Sequence, residues 1–243
     1  EPLYIQALEM RQRLFTGDHP DVATSLNNLA GLYNSQGKYT AAEPLYIQAL
    51  EMRQRLFTGD HPNVATSLNN LAALYDSQGN YTEAEPLYIQ ALEMIQRLFT
   101  GDHPNVATSL NNLAFLYNSQ GKYTEAEPLY FQALEMTQRL FTGDHPDVAG
   151  SLNNLALLYK SQGKYTEAEP RYIQALEMFE RVLGVNHPNT VTVRENLRLL
   201  RQQQQPASLS VFDRLLVVLR LPFYLLWLLI KPIVKFFWRW LRR

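Results

Sequence analysis

The sequence repeats itself at a fixed interval of 42 residues, and this period constrains the fold more than any other feature. One histidine marks each repeat, and these histidines are His19, His61, His103, His145 and His187. The string SLNNLAGLYNSQGKYTAAEPLYIQALEM, residues 25 to 52, returns three more times in nearly the same form. A period of this length is typical of stacked supersecondary units and not of one closed globule. The 243 residues therefore predict an elongated array followed by a tail.

Within a unit, the spacing of apolar residues predicts a first helix. Such residues recur at offsets of 4, 7, 8 and 11, which is the spacing of one helical stripe. They are Val22, Leu26, Leu29, Ala30 and Tyr33. Ahead of them, Asp18 is the predicted N-cap, and Pro20 lies in the first turn, where its missing N–H costs little. Gly37 follows the stripe and supplies the left-handed residue with which helices commonly end.

A second helix is predicted to begin at Thr40, because Glu43 follows at the spacing of a capping box. Pro44 then falls in the first turn, where it constrains the entry of the chain without breaking the helix. The helix is expected to continue to Thr58 and to end at Gly59. Its predicted buried face consists of Ala42, Tyr46, Ala49, Leu50, Leu56 and Phe57. Because such a hairpin cannot bury both apolar faces by itself, each unit must stack on its neighbours.

Both ends of the array depart from the repeated unit. Residues 1 to 16 align with Glu43 to Thr58 and predict a second helix without its first, which exposes a stacking face. In the fifth unit, Arg194, Arg198 and Arg201 stand at stripe positions that are apolar in the earlier units. A charged outer face of this kind is expected of the capping unit that a repeat array requires.

The recurring positions resemble the tetratricopeptide repeat, and in the first complete unit they are Leu29, Ala30, Tyr33, Gly37, Tyr39, Ala42, Tyr46 and Ala49. The 42-residue period, the NNLA and AEPLY strings and the GDHP loop are similar to those of the kinesin light chain subtype. This resemblance covers residues 1 to about 204. It implies an all-α fold, a right-handed α-solenoid of antiparallel helical hairpins. It does not imply a kinesin partner, because the subtype is widespread among unrelated scaffold proteins.

The predicted domain organisation follows the repeat boundaries. A partial repeat with only a second helix occupies residues 1–16, and four units of 42 residues occupy 17–186. A capping helix is predicted for 187–205, and a hydrophobic, basic tail for 206–243.

No residue pattern in the sequence indicates catalysis. The chain has no cysteine, which excludes disulfides, thiolate nucleophiles and cysteine metal sites. The histidines occur one per unit, about 10 Å apart along the stack, whereas zinc needs its ligands at about 2 Å. We therefore interpret them as structural, and predict a noncatalytic protein without cofactor or metal. The alternative is a sensor or oligomerisation arm of a larger enzyme or signalling protein whose catalytic part lies upstream of residue 1.

Positions that vary between otherwise near-identical units indicate where a ligand is recognised. Helical spacing places variable columns and one constant asparagine column on a face of the first helices roughly opposite the apolar stripe. The predicted groove residues are Asn27, Asn69, Asn111 and Asn153, then Gly31, Ala73, Phe115 and Leu157, then Asn34, Asp76, Asn118 and Lys160. A further variable column contains Thr24, Thr66, Thr108 and Gly150. In proteins that the chain resembles, this face lines the concave groove, so the predicted partner is a protein or an extended peptide.

Two interpretations of this face are open. In the first, the asparagines offer donors and acceptors to an extended backbone, and the variable columns select side chains. In the second, the asparagines hydrogen-bond neighbouring helices or solvent, and the variation is drift after recent duplication.

Charge separates the tail from the array. Residues 209–243 contain seven Lys or Arg and one Asp, a balance of +6, and since the whole chain carries −1, residues 1–208 carry −7. A mildly acidic array does not predict nucleic-acid binding, whereas a basic, apolar tail predicts contact with anionic lipid. The predicted membrane-contacting residues are Arg220, Trp227, Lys231, Lys235, Trp238, Arg239, Trp240 and Arg242.

Three arrangements of this tail are open. On a helical wheel most of its charges fall in one arc beside a broad apolar face, which favours a helix lying in the lipid interface. A membrane-spanning helix is the second, although Leu215 to Ile230 gives about 24 Å of helix against a hydrocarbon core of roughly 30 Å. Docking onto protein is the third. The first arrangement predicts a location at the cytoplasmic face of a membrane, peripheral or tail-anchored, and self-association is kept as a further interaction.

Overall fold

The computed structural model describes residues 1–204 and 223–240, and the described residues form eleven α-helices. Ten follow one another along the first range: α1 (Pro2–Leu14), α2 (Pro20–Ser35), α3 (Tyr39–Leu56), α4 (Pro62–Ser77), α5 (Tyr81–Leu98), α6 (Pro104–Ser119), α7 (Tyr123–Leu140), α8 (Pro146–Ser161), α9 (Tyr165–Leu183) and α10 (Pro188–Gln204). The second range is α11 (Phe223–Trp240). No strand occurs within these ranges, and the predicted all-α fold is confirmed.

The helices pair as hairpins whose first helices are α2, α4, α6 and α8 and whose second helices are α3, α5, α7 and α9. Each of α3, α5 and α7 also packs against the first helix of the following hairpin, and the first helices of successive hairpins contact one another. The first helices thus form one continuous layer, and the second helices form another. This is the α-solenoid that the 42-residue period predicts.

The chain divides into two compact units, Glu1–Arg198 and Leu199–Arg243. The stacked hairpins belong to the first unit, and α11 belongs to the second. The domain boundaries expected from the sequence stay predictions.

Small residues in the first helices and large ones in the second helices fill the space between hairpins. Ala30, Ala72, Ala114 and Ala156 of the first helices are completely buried. The second helices bury tyrosines at equivalent positions, namely Tyr46, Tyr88, Tyr130 and Tyr172. Helix axes approach to about 8 to 10 Å only where short side chains lie at the contact. The alanines therefore set the distance between the two layers.

The histidines begin the first helices as N-caps, and the prediction that Asp18 does so is wrong. His19 Nδ1 accepts a hydrogen bond from the Asp21 backbone N–H at 3.1 Å. The His19 ring stacks on Phe15, with the ring centroids 3.5 Å apart. Equivalent caps are made by His61, His103, His145 and His187. This geometry agrees with the structural interpretation of the histidines.

Asp18 is held instead by the arginine near the end of the second helix. Arg55 donates to both of its carboxylate oxygens, at 2.7 and 3.0 Å, and these hydrogen bonds lower the pKa of Asp18. The pair recurs as Arg97 with Asp60, Arg139 with Asp102 and Arg181 with Asp144. A carboxyl with a lowered pKa stabilises the fold above its unfolded-state pKa and loses that contribution as the pH falls.

The predicted capping box at the start of the second helix is also wrong. α3 begins at Tyr39, one residue early, and its N-cap Lys38 makes no side-chain cap. Glu43 instead accepts a hydrogen bond at 2.9 Å from the Tyr75 hydroxyl of the next hairpin. Pro44 is therefore the sixth residue of α3 and lies in its second turn, and the helix ends at Leu56. The glutamate joins two hairpins rather than capping one.

Replacing Ala72 with leucine tests the close approach of the two layers. Because Ala72 is completely buried, the added carbon atoms have no space, and we expect the free energy of unfolding to fall by about 1–3 kcal/mol. Chemical denaturation followed by circular dichroism measures the change.

Ala73→Leu is the matched control, because Ala73 is partly exposed and Leu157 already occupies the same column in α8. Equal stability of the Ala72→Leu and Ala73→Leu variants would contradict the packing described.

Candidate functional site

The predicted groove residues lie on the layer of first helices, where each helix contributes one residue to each predicted column. All are partly buried except Phe115, which is 44% exposed. The face is therefore neither core nor fully solvated, which is the condition of a surface that a ligand can cover.

Two of the four predicted asparagines accept hydrogen bonds within the stack. Asn70 Nδ2 donates to Asn27 Oδ1 at 2.8 Å, and Asn196 Nδ2 donates to Asn153 Oδ1 at 3.1 Å. Each bond joins two neighbouring first helices. At these positions the structure agrees with the interpretation that the asparagines hydrogen-bond neighbouring helices.

The two central asparagines differ from the outer two. The Oδ1 atoms of Asn69 and Asn111 are buried, and neither accepts a hydrogen bond from any described residue. A buried acceptor of this kind costs about 1–3 kcal/mol. The centre of the face thus holds amide oxygens that the stack leaves unsatisfied.

The last predicted column combines unpartnered amides with one carboxylate. Asn34 and Asn118 also have buried Oδ1 atoms without a hydrogen-bond partner in the described ranges. Asp76 stands between these two asparagines in the column. Burial raises the pKa of its carboxyl, and no described cation pairs with it. Burial, and then the Asp76 charge, raises the pKa of Tyr88 and of Tyr130. The charge of Asp76 therefore acts on both tyrosines and is not neutralised by a described cation.

The side chains of the middle column, which begins with Gly31, become larger along the stack. Gly31 lies against the Tyr46 hydroxyl, because a Cβ at Gly31 would be 3.4 Å from that oxygen. Ala73 follows, and then Phe115 and Leu157 present larger apolar side chains. At the far end Lys160 is partly buried. The face thus changes from small and polar, through acidic, to apolar and basic.

No group of three His, Asp or Glu residues able to hold a metal occurs in the part of the chain that the structure describes. The arrangement is suited to hydrogen bonding, apolar contact and ion pairing with a ligand.

Sequence reasoning missed a further column, which lies on the second helices and packs against the first helices. Its members are Arg11, Arg53, Ile95, Thr137 and Phe179, 42 residues apart. We call the space that one of these side chains enters, between two successive first helices, its seat. The change from charged to aliphatic, polar and aromatic residues in this column is the signal from which the sequence could have revealed it.

Arg53 fills its seat with a guanidinium group. Its Nη1 donates to Ser67 Oγ at 2.8 Å and to the Asn63 backbone carbonyl at 3.0 Å, and its Nη2 lies 3.5 Å from Thr24 Oγ1. The residue is only 7% exposed, and burial lowers the pKa of its guanidinium. An arginine nevertheless stays charged in proteins. The seat is therefore built to accept a buried cation.

Replacing Arg53 with alanine tests this network. The hydroxyl of Ser67 loses its charged partner and a cavity opens, so we expect a loss of about 1.5–3 kcal/mol in the free energy of unfolding. Arg55→Ala is the matched control, since the Arg55 side chain is exposed and pairs only at the surface. Denaturation curves in which both variants lose equal stability would contradict the role assigned to Arg53.

Comparison with known proteins places these features in a family. The tetratricopeptide repeat model matches residues 1–55, 21–94, 77–139, 105–169 and 147–214. Among curated proteins the sequence has no significant match.

Several solved structures are similar. BtubC (BKLC) from P. vanneervenii has a TM-score of 0.67 and 27% identity, covering 83% of this chain and 81% of that one. A putative kinesin light chain with nearly identical TPR-like repeats from Podosopora anserina has a TM-score of 0.61 and 25% identity, covering 76% and 88%. A Rap protein complexed with Competence and Sporulation Factor has a TM-score of 0.61 and 20% identity, covering 83% and 58%, and at this identity the likeness concerns the fold alone. The family-model matches run from residue 1 to residue 214, and kinesin light chain-like repeat proteins are among the structural relatives. The chain therefore belongs to the tetratricopeptide repeat family.

Proposed function

We propose that the chain is a noncatalytic scaffold that binds a protein or peptide as an extended segment across its first helices. The observation that carries the proposal is the row of buried, unpartnered acceptors on Asn69, Asn111 and Asn118 beside the exposed ring of Phe115. Rotation of these side-chain amides towards the ligand would let its backbone N–H groups satisfy the acceptors, and the ring would cover an apolar side chain.

The spacing of the repeats suits an extended backbone. Successive first helices lie about 10 Å apart, and an extended chain advances about 3.3 Å per residue. Every third ligand residue therefore meets an equivalent position of the next unit. The four units together span roughly ten ligand residues.

The charged positions predict a charge pattern in the proposed ligand. Asp76 favours a basic group, Phe115 and Leu157 favour apolar side chains, and Lys160 favours an acidic group or a carboxylate. Asp76 and Lys160 are two units apart, about 20 Å. A segment with a basic residue followed or preceded by an acidic one, about six residues away, fits this pattern.

The family supports the coarser part of the proposal, because the tetratricopeptide repeat fold is suited to protein–protein interaction and is typically a noncatalytic scaffold. The Rap neighbour was crystallised with Competence and Sporulation Factor, so a similar fold holds a ligand there. Two further hypotheses stay predictions: that the chain self-associates, and that it is an arm of a larger enzyme or signalling protein.

Replacing both central asparagines tests the groove. Peptides selected by the full chain from a displayed random 12-residue library are measured by fluorescence anisotropy against wild type and against the Asn69→Ala/Asn111→Ala variant. Each lost hydrogen bond is worth about 1 kcal/mol, so we expect affinity to fall about 10- to 30-fold.

The matched control is Gln90→Ala/Gln132→Ala, which removes two amides from exposed positions of the second helices. Unchanged affinity in the asparagine variant, or a library that yields no enriched peptide, would refute the groove.

We also propose that α11 holds the chain at the cytoplasmic face of a membrane by lying in the lipid interface, peripheral or tail-anchored. Lys231 and Lys235 are exposed one helical turn apart, and Lys231 Nζ lies 4.6 Å from the centroid of the Trp227 ring. The same helix exposes large apolar side chains, among them Trp227, Ile230, Ile233, Val234, Phe237 and Trp238. Lysines beside tryptophan and aliphatic residues are typical of helices that bind anionic membrane surfaces.

The other predicted membrane-contacting residues are only partly covered by the structure. Arg239 and Trp240 belong to α11, but their side chains lie outside those described, as do Arg220 and Arg242 altogether. The predicted span Leu215 to Ile230 also begins outside the described residues. Of the helices within the described ranges, none has the length and apolar character needed to cross a membrane.

Charge reversal in α11 tests the interfacial arrangement. We expect the full chain to sediment with vesicles that contain anionic lipid, and Lys231→Glu/Lys235→Glu to weaken this binding at least tenfold, since each basic residue contributes about 1 kcal/mol near such a surface. Added salt should weaken the binding in the same way.

Lys122→Glu/Lys164→Glu applies the same change of charge to exposed residues of the array and should leave sedimentation unchanged. Binding that resists salt would indicate a span instead, and absence of binding would indicate a tail docked on protein. Either result would overturn the interfacial proposal.

A further inference from the structure

We propose that the seat of Thr137 binds the guanidinium group of an arginine carried by a ligand. The site is a cavity of about 290 Å³ between α6 and α8 that also reaches Phe179 of α9 and Asn189 of α10. Its polar lining includes Thr108, Asn111, Thr137, Asp147, Ser151 and Asn154.

The seat of Arg53 shows what this cavity is built to hold. Every partner of the Arg53 guanidinium has a counterpart two units further along, and each of these counterparts lines the cavity. Thr24 corresponds to Thr108, the carbonyl of Asn63 to that of Asp147, and Ser67 to Ser151. The acceptors of an arginine seat are therefore present without the arginine.

A second arginine supports this comparison. Arg11 donates to Ser25 Oγ at 2.7 Å and to the Asp21 carbonyl at 3.2 Å, which repeats the first two contacts of Arg53. Recognition of a guanidinium by this serine and this carbonyl is thus a property of the repeated unit.

Thr137 leaves the acceptors largely unused. Its hydroxyl donates to the Leu134 carbonyl of its own helix at 2.9 Å and reaches Ser151 Oγ only at 3.5 Å. The other contact of Ser151 Oγ, with Asn111 Nδ2, is also 3.5 Å, at the outer limit for a hydrogen bond. Ser151 therefore lacks the strong, charged donor that its counterpart Ser67 receives.

An amide next to the cavity is also left open. At the Arg53 seat, Asn70 donates to Asn27 Oδ1 at 2.8 Å. The counterpart Asn154 is instead a partner of its neighbour Asn153, at 3.4 Å, and Asn111 Oδ1 is buried with no partner in the described part of the chain. Asn111 itself lines the cavity, and rotation of its amide would present this oxygen to an incoming N–H donor.

The charge and shape of the lining favour a planar cation. The cavity is lined by one acidic residue, Asp147, and by no lysine or arginine. It is also lined by Phe179, and guanidinium groups stack on aromatic rings. Gly150 replaces the threonine of the other units, and a Cβ built there would meet no atom within 4 Å, so the entrance is wide.

The neighbouring seat does not share these features. Ile95 occupies it with an aliphatic side chain that is 3% exposed. The proposed cation site is therefore specific to the step between α6 and α8. An arginine in a peptide bound to the groove would reach this site, and that part of the inference rests on the proposed function. Binding of a free guanidinium group to the site does not depend on the proposed function.

Selective ¹⁵N labelling of glycine in the full chain tests the site. Of the 11 glycines, Gly150 lies at the cavity, and Gly31 in α2 is a helical control in the same spectrum. The probe is N-acetyl-arginine-N-methylamide, and its neutral comparison is the citrulline analogue. We expect a saturable shift of Gly150 alone, with a dissociation constant of about 1–10 mM, the weak end of the affinity range.

Two variants fill the seat. Thr137→Arg supplies the missing guanidinium, and Thr137→Ile copies the neighbouring seat, so each should weaken probe binding at least tenfold. Ile95→Arg is the matched control, which places the same side chain one unit away and should leave the Gly150 response intact.

No response of Gly150 up to about 50 mM probe, an equal response to the citrulline analogue, or undiminished binding in both Thr137 variants would overturn the inference. These outcomes leave the peptide groove standing, because its test uses peptides selected without regard to arginine. Conversely, probe binding together with an unproductive peptide selection would refute the groove alone.

Discussion

The structure depends on the fact that one helical hairpin cannot bury its own apolar faces. Each hairpin is stable only between neighbours, and the completely buried alanines, such as Ala72, set the distance at which layers pack. The same contact recurs every 42 residues, so equivalent side chains from successive units line up. Columns of equivalent residues can therefore be compared from one unit to the next.

The period and the helical stripe were sufficient to predict the helices and their stacking, whereas the helix starts were not. Asp18 and Glu43 are residues of the right type for local caps, but residues far along the chain bind their side chains instead. Arg55, 37 residues away, binds Asp18, and Tyr75, 32 residues away, binds Glu43. A charged or well-placed tertiary partner outcompetes a local capping hydrogen bond. A local sequence pattern does not reveal such a partner.

The candidate site, like the fold, was predicted from the sequence only in part. Helical spacing placed Asn69, Asn111 and Phe115 on one face from sequence alone, and their placement on the first helices agrees with it. Spacing along one helix did not reveal which asparagines bond to each other. It also missed the seats, because a seat forms only where a second helix inserts a side chain, such as Arg53, between two first helices.

The seats show how near-identical units differ in the space between their first helices without disturbing the stack. The alanines and tyrosines that hold the layers together stay the same, so the residue in a seat changes only what lies between two first helices. An arginine satisfies the serine and carbonyl around it, and an isoleucine excludes water from them. Thr137 does neither. The contacts of Ser151 Oγ there are 3.5 Å long, and the unpartnered Oδ1 of Asn111 costs stability, as do those of Asn34, Asn69 and Asn118 at other steps. The step between α6 and α8 combines an unfilled arginine seat with the unpartnered Oδ1 of Asn111, and this combination is the reason we propose that a ligand completes the structure there.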